Sequence, residues 1–261
     1  RARNACLLTC ARQGSPMADW RIFAEALDGA GFDDWAPCPP PGSQKDDPTE
    51  RKAWEESQRA WIATGHHAGM DFLRRNADMA FHPELIEPSA RSLVVCVLNY
   101  HQGSRLPPPV PEGHGKVAMY AWGRDYHKVF RSKFKALVSK PRDTFGNEVF
   151  RTFADADPLQ ERYFAVRAGL GFIGRHSLLI TPGFGSKVLL GILLTSIDLA
   201  SLEGFPGYRA RTAEHCPSGC RRCIEACPGK AIGPDRVVDA RKCLSWLTIE
   251  AGDRKDREHE P

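Results

Sequence analysis

The sequence predicts an α/β protein of the α+β kind, a large mixed domain followed by a small cysteine-rich unit, and three observations carry that reading. Residues 92–100, SLVVCVLNY, are a near-continuous apolar and β-branched run of strand length, as expected of a central strand covered on both faces. Segments with helical spacing and glycine or proline stop signals surround it. Five of the nine cysteines crowd into the last quarter, in HCPSGCRRCIEACPGKAI and at Cys243.

With 261 residues, 42% hydrophobic and 26% charged, the chain can bury one large core and an appended unit, which excludes disorder. An odd number of cysteines spaced for metal fits a reducing cytoplasm better than a disulfide framework. No apolar run has transmembrane length and no signal peptide opens the chain, so no membrane partner is expected. The net charge of +4 does not by itself indicate nucleic-acid binding. The chain begins at Arg1 rather than Met and ends in AGDRKDREHEP, and is expected to be cut from a longer protein.

In chain order, Trp20, Phe23, Ala24 and Leu27 share a helical face that Gly29 and Gly31 terminate. Pro37–Pro48 reads as a loop, and a second helix is expected from Thr49, capped by its hydroxyl, through Trp54 and Trp61 to Gly65. Cys6, Cys10 and Cys38 are expected to be buried or idle thiols. After the strand, HQGSRLPPPVPEGHG is a long loop of the functional or mobile kind. From Asp125 an amphipathic helix carries Tyr126, Val129, Phe130, Phe134, Leu137 and Val138 on one face. Lys128, Arg131 and Lys135 fall on the other, either as a solvated face or as a contact for phosphates.

Glu148–Phe153 reads as a strand, and Asp157 with Pro158 as the cap and first residue of a helix over 158–168 that Gly169 ends. Asp155 is left over where strand passes to loop, a common place for a catalytic group. Gly169, Gly171 and Gly174 suggest close approach of backbone to something flat or bulky. The two apolar runs that follow suggest a hairpin turning at Pro182–Ser186. The glycines match G-x-G-x-x-G, but a helix precedes and a strand follows, the reverse of a dinucleotide site, and no P-loop is present. Soft thiolates at the spacing of Cys216, Cys220, Cys223 and Cys227 select iron-sulfur clusters, zinc or copper(I), and a last cysteine followed by proline is similar to bacterial ferredoxins.

Taken together, GRDYHKVFRSKFKAL from Gly123, the segment Asp155–Arg162, AGLGFIGRHSLLITPGFGS, the run ending CPGKAI and VDARKCLSWLTIE resemble the epoxyqueuosine reductases in that order. The likeness extends more weakly to GMDFLRRNADMAFHPELIEPSARSLVV from Gly69 and covers about residues 65–250. It implies a nitroreductase-like cobalamin-binding catalytic domain over 1–205 and a ferredoxin-like 4Fe-4S domain over 206–261. The implied reaction removes the epoxide oxygen of epoxyqueuosine at the tRNA wobble position to give queuosine. An external low-potential donor, a tRNA anticodon stem-loop and a monomeric state come with it.

By that resemblance Asp155 matches the catalytic acid. This chain reads A-D-A-D-P where the family commonly reads V-D-S-A-P, so Asp157 adds a second carboxylate that can exchange roles with it. An acid in a closed site, its pKa raised, would suit the alkoxide formed on ring opening. Tyr126 and His127 are expected to border the pocket, the alternative for His127 being a packed or helix-capping residue. D-x-H-x-x-G, the motif of histidine on cobalt, fails because Phe130 takes the glycine's place, so no histidine is expected on the metal. Gly169, Gly171, Gly174, Arg175 and His176 are expected along the corrin or its nucleotide tail, Arg175 standing where the family usually has lysine.

Cys216, Cys220 and Cys223 are expected to hold one 4Fe-4S cluster, and Cys227 and Cys243 half of another. Three residues rather than two separate Cys216 from Cys220, and the family's second cysteine set is absent, so neither of the two clusters is complete. Truncation, a degenerate homologue or a single cluster from four of the five cysteines would each account for this. Lys128, Arg131, Lys133, Lys135, Arg221 and Arg222 are either tRNA contacts or ordinary basic surface. The alternatives to the reductase are a non-catalytic cobalamin-binding or electron-transfer homologue and a reductase of another substrate.

Overall fold

The computed structural model describes residues 19–43, 46–101, 103, 109–155 and 158–251. Its strands are β1 (Asp34–Cys38), β2 (Ser92–Asn99), β3 (Phe150–Phe153), β4 (Phe172–Ile173), β5 (Leu179–Ile180) and β6 (Val188–Thr195). Its helices are α1 (Trp20–Gly29), α2 (Pro48–Ala63), α3 (Asp71–Arg75), α4 (Pro83–Ile86), α5 (Tyr126–Phe145), α6 (Glu161–Arg167) and α7 (Arg222–Glu225).

Four strands pair in the order β1-β2-β6-β3, every neighbour antiparallel. The apolar run expected as a strand is β2, and it is central. Its period of two sends Leu93, Val95 and Val97 to one face and Val94, Cys96 and Leu98 to the other. Each face is covered. The first packs against Phe81, Tyr163 and Phe164, and the second against Trp20, Phe23, Phe130, Phe134 and Leu137. At Gly191 of β6, a Cβ would stand 2.6 Å from the Phe130 ring, so glycine is what lets α5 lie against the sheet.

The sheet supports the expected helices, with shifts at their ends. Asp47, not Thr49, caps α2, because its Oδ1 accepts from the amides of Thr49 and Glu50 and Pro48 occupies the first turn. Asp125 caps α5 through the His127 amide. The helix expected at 158–168 starts only at Glu161, with Gln160 as its N-cap, so Pro158 lies before it. The capping expected of Asp157, and Cys6 and Cys10, fall outside the described residues. Cys38 and Cys96 are buried and free.

The hairpin is corrected. The turn at Pro182–Ser186 forms, closed by a reciprocal pair of backbone bonds between Thr181 and Gly185, but its two runs do not pair along their length. Instead β5 pairs with β4, and β6 is drawn into the main sheet between β2 and β3, where its apolar inner half is buried on both faces.

Beyond the sheet the chain is tied back to it. Arg209 forms a two-pronged pair with Asp34 of β1, and Arg211 another with Glu50 of α2. The Trp61 indole donates to the Val238 carbonyl at 2.7 Å, and the Ala240 amide to His66. No helix among the described residues is long and apolar enough to cross a membrane.

Candidate active site

Asp155 follows the end of β3 with φ +67°, in the left-handed region that aspartate tolerates better than most residues. Its Oδ2 accepts from the Tyr126 hydroxyl at 2.5 Å and faces His127 Nε2 at 2.9 Å. The other ring nitrogen, Nδ1, lies 3.0 Å from Asp125 Oδ1. The start of α5 therefore brings two groups to one carboxylate, a phenol and an imidazole, with Asp125 behind the imidazole. His127 does not cap the helix with its ring, since Asp125 does that.

The electrostatics follow from this geometry. Burial and the bond to Asp155 push the Tyr126 phenol well above its ordinary range. Partial desolvation pulls His127 down, but its bonds to Asp125 and Asp155 outweigh that and leave it raised. The side chain of Asp155 is 55% exposed. Burial pushes the Glu161 carboxyl up to about 7, and its Oε1 accepts the Asp155 amide at 3.1 Å.

Tyr126 continues a row of rings. It stacks on His127 at 4.1 Å, meets Tyr120 at 6.1 Å, and Tyr120 meets Tyr100 at 6.4 Å. Tyr100 and Tyr120 line a cleft of about 190 Å³ with Arg162, Leu179, Val188 and Leu190. The first three residues of β6 are apolar yet only half-buried here, and Leu178 at the cleft is 48% exposed. Reading the sequence missed Tyr100, Tyr120, Glu161 and Arg162. Tyr100, just past the end of the central strand, carried the nearest thing to a signal.

The glycines have a different explanation from the one expected. A Cβ on Gly171 would sit 2.2 Å from the Ile180 carbonyl oxygen, and one on Gly169 would sit 2.6 Å from that of Ala210. The close approach is made by this chain to itself, and Gly174 likewise faces the rings and methyls of His176 and Ile180. Arg175 lines a second cleft, of about 600 Å³, with His215, Cys216, Ser218 and Arg236. Its Nε is buried without a hydrogen-bond partner. His176 accepts the Leu178 amide at Nδ1, which places its proton on Nε2.

Cys216, Cys220, Cys223, Cys227 and Cys243 are half-exposed and unpaired. Among the described residues no three such groups stand close enough to hold a single metal ion. The Ala231 amide donates to Cys227 Sγ at 3.3 Å. Of the basic candidates, Lys128, Arg131, Lys135, Arg221 and Arg222 are exposed. Lys133 is not free for a partner: it donates to the carbonyls of Ala30 and Gly31.

Two family models match: "Epoxyqueuosine reductase QueG, DUF1730" over residues 81–156 and "4Fe-4S double cluster binding domain" over residues 215–261. An epoxyqueuosine reductase of Synechocystis is 40% identical over 205 residues, which are 77% of this chain and 66% of that protein. The solved structure of the Streptococcus thermophilus epoxyqueuosine reductase has a TM-score of 0.72 at 27% identity, covering 87% of this chain and 56% of that one. A structure of an epoxyqueuosine reductase with an epoxyqueuosine-modified tRNA-Tyr stem loop has the same TM-score at 24% identity, with the same coverage. The chain spans about half to two thirds of the length of the curated relatives it matches.

Proposed function

Because the chain belongs to the epoxyqueuosine reductase family, we propose that it carries the catalytic part of an enzyme that reduces epoxyqueuosine to queuosine at the tRNA wobble position. Removing an epoxide oxygen as water to leave an alkene takes two electrons and two protons. The observation that carries the reading is the Tyr126–His127–Asp155 set beside an apolar cleft, which is built to hold and deliver a proton.

Asp155 is the proton donor. Both of its bonds from α5 fall on Oδ2, so the transferable proton is assigned to Oδ1. Protonated His127, held between two carboxylates, restores that proton after each turnover. Tyr126 fixes the carboxylate's orientation.

The residues present also fit cobalamin. The half-buried apolar end of β6, with Leu178, offers a wall for a flat macrocycle, and the unpartnered Nε of Arg175 suits an anionic group of its tail. His176 lies beside Arg175, and the backbone at Gly169, Gly171 and Gly174 shapes that edge from within. When bound, cobalamin supplies the low-potential electrons that side chains cannot.

Cys216, Cys220 and Cys223 supply three ligands of one 4Fe-4S cluster and Cys227 and Cys243 two of a second, on the path that passes electrons from an external donor. The division between cofactor domain and cluster domain is placed at residues 205 and 206. The exposed Lys128, Arg131, Lys135, Arg221 and Arg222 approach the phosphates of the anticodon stem-loop. The protein works as a monomer in the cytoplasm, consistent with free thiols at every described cysteine.

The test is incubation of protein from the complete reading frame, reconstituted with iron, sulfide and cobalamin, with epoxyqueuosine tRNA and a low-potential reductant. Digested nucleosides should contain queuosine. A fully loaded sample that forms none overturns the proposal.

A further inference from the structure

We propose that Glu161 is a positioning residue for Asp155, which holds the acid-bearing turn in place by capturing its backbone amide. Asp155 adopts a φ of +67°, a conformation that side-chain-bearing residues enter rarely and keep only when their surroundings enforce it. Two restraints do so, and they come from different helices. The side chain is held from α5 by Tyr126 and His127. The backbone is held from α6, where the Asp155 amide donates to Glu161 Oε1 at 3.1 Å.

Both helices are fixed to the core, which makes the restraint stiff. Glu161 is the first residue of α6, and Tyr163, Phe164 and Ala165 behind it are fully buried. Phe130, Phe134 and Leu137 anchor α5 in the same way. Asp155 is thus clamped by its carboxylate to one helix start and by its amide to another. The half-buried Glu161 carboxyl, near neutrality, faces Arg162 and Asp155 as its charged neighbours. The consequence for turnover rests on the reading of Asp155 as proton donor, whereas the contact stands without it.

The experiment separates reach from charge in the complete protein. Glu161→Asp keeps the charge at the helix start but is one methylene too short to reach the amide. Glu161→Gln removes the charge and keeps an acceptor oxygen at the same distance. Hydrogen exchange at the Asp155 amide, read against the β2 amides as internal control, should rise roughly tenfold in Glu161→Asp and stay close to the parent in Glu161→Gln. In parallel, kcat should fall in Glu161→Asp with KM for the tRNA unchanged, and Glu161→Gln should restore it. Unchanged exchange in Glu161→Asp overturns the proposal. So does loosening in Glu161→Gln alone, which would assign Glu161 a charge role, or equal loosening of β2, which would make it a stability residue. If exchange responds as expected while the parent makes no queuosine, the positioning stands and the reductase reading falls.

Discussion

His127 meets Asp155 across 2.9 Å through Nε2 while its Nδ1 faces Asp125, so both nitrogens of one imidazole look at carboxylates. Only the protonated ring donates to both. A neutral His127 would leave one carboxylate against a lone pair, which is why its pKa is raised despite partial desolvation. Replacing it with glutamine should lower kcat by at least roughly tenfold, within the span of a single acid–base group. In the parent, kcat should decline as pH rises past the raised His127 value, because the imidazolium is present below it and lost above. That limb should vanish from the pH profile of His127→Gln. The absorption spectrum of bound cobalamin should be the same in both proteins, since His127 is not assigned to the cobalt.

Glu161 makes stability depend on pH in a direction opposite to most carboxylates. Its pKa lies near 7 in the fold, against an ordinary value of 4.5. The folded state therefore binds the proton more tightly than the unfolded chain does. That contribution is fully present below the ordinary value and is lost as pH rises through the interval to about 7. Urea denaturation across this range should show a steeper loss of stability in the parent than in Glu161→Gln, whose side chain does not titrate.

Arg167 and Asp46 form a fully buried pair, 0% and 1% exposed, meeting at 2.9 Å off the hydrogen-bond axis. Arg167 also donates to the Tyr163 hydroxyl, and Asp46 accepts from Gly42 and Arg51. Removing one partner strands a buried charge, so Asp46→Ala should cost about 3–5 kcal/mol in chemical denaturation. Arg51→Ala should cost less, about 1 kcal/mol, because that arm of the network reaches solvent.

Cysteines are expected to divide by burial. Cys38 is buried and its thiol is pushed up to about 12, whereas Cys223 is half-exposed within the cysteine run. Iron bound after reconstitution of the complete protein should drop in Cys223→Ala and stay unchanged in Cys38→Ala. Equal iron in both would refute the assignment of the run.

Much of this was legible before any coordinates. The unbroken apolar run of β2 and the periodic face of α5 were strong signals, and each formed close to its expected position because burial against the sheet rewards those patterns directly. Asp155 stood out because no capping or packing role absorbed it. What failed depended on distant partners. The runs on either side of Pro182–Ser186 looked like a hairpin, but β6 gains more by pairing with β2 and β3 on both edges. Gly169 and Gly171 signalled close approach without saying to what, and the partners are Ala210 and Ile180. Glu161 was invisible as a site residue, because an acid at a helix start is unremarkable until a specific amide is found against it.

The central claim is that Asp155 gives the proton that lets the epoxide oxygen leave. Asp155→Asn preserves the shape and both acceptor contacts at one oxygen but carries no transferable acid proton. Cobalamin-loaded and fully clustered Asp155→Asn protein should retain its cofactors yet form queuosine from epoxyqueuosine tRNA at least about a hundredfold more slowly than the parent. Queuosine formed at the parent's rate by that variant would contradict the account.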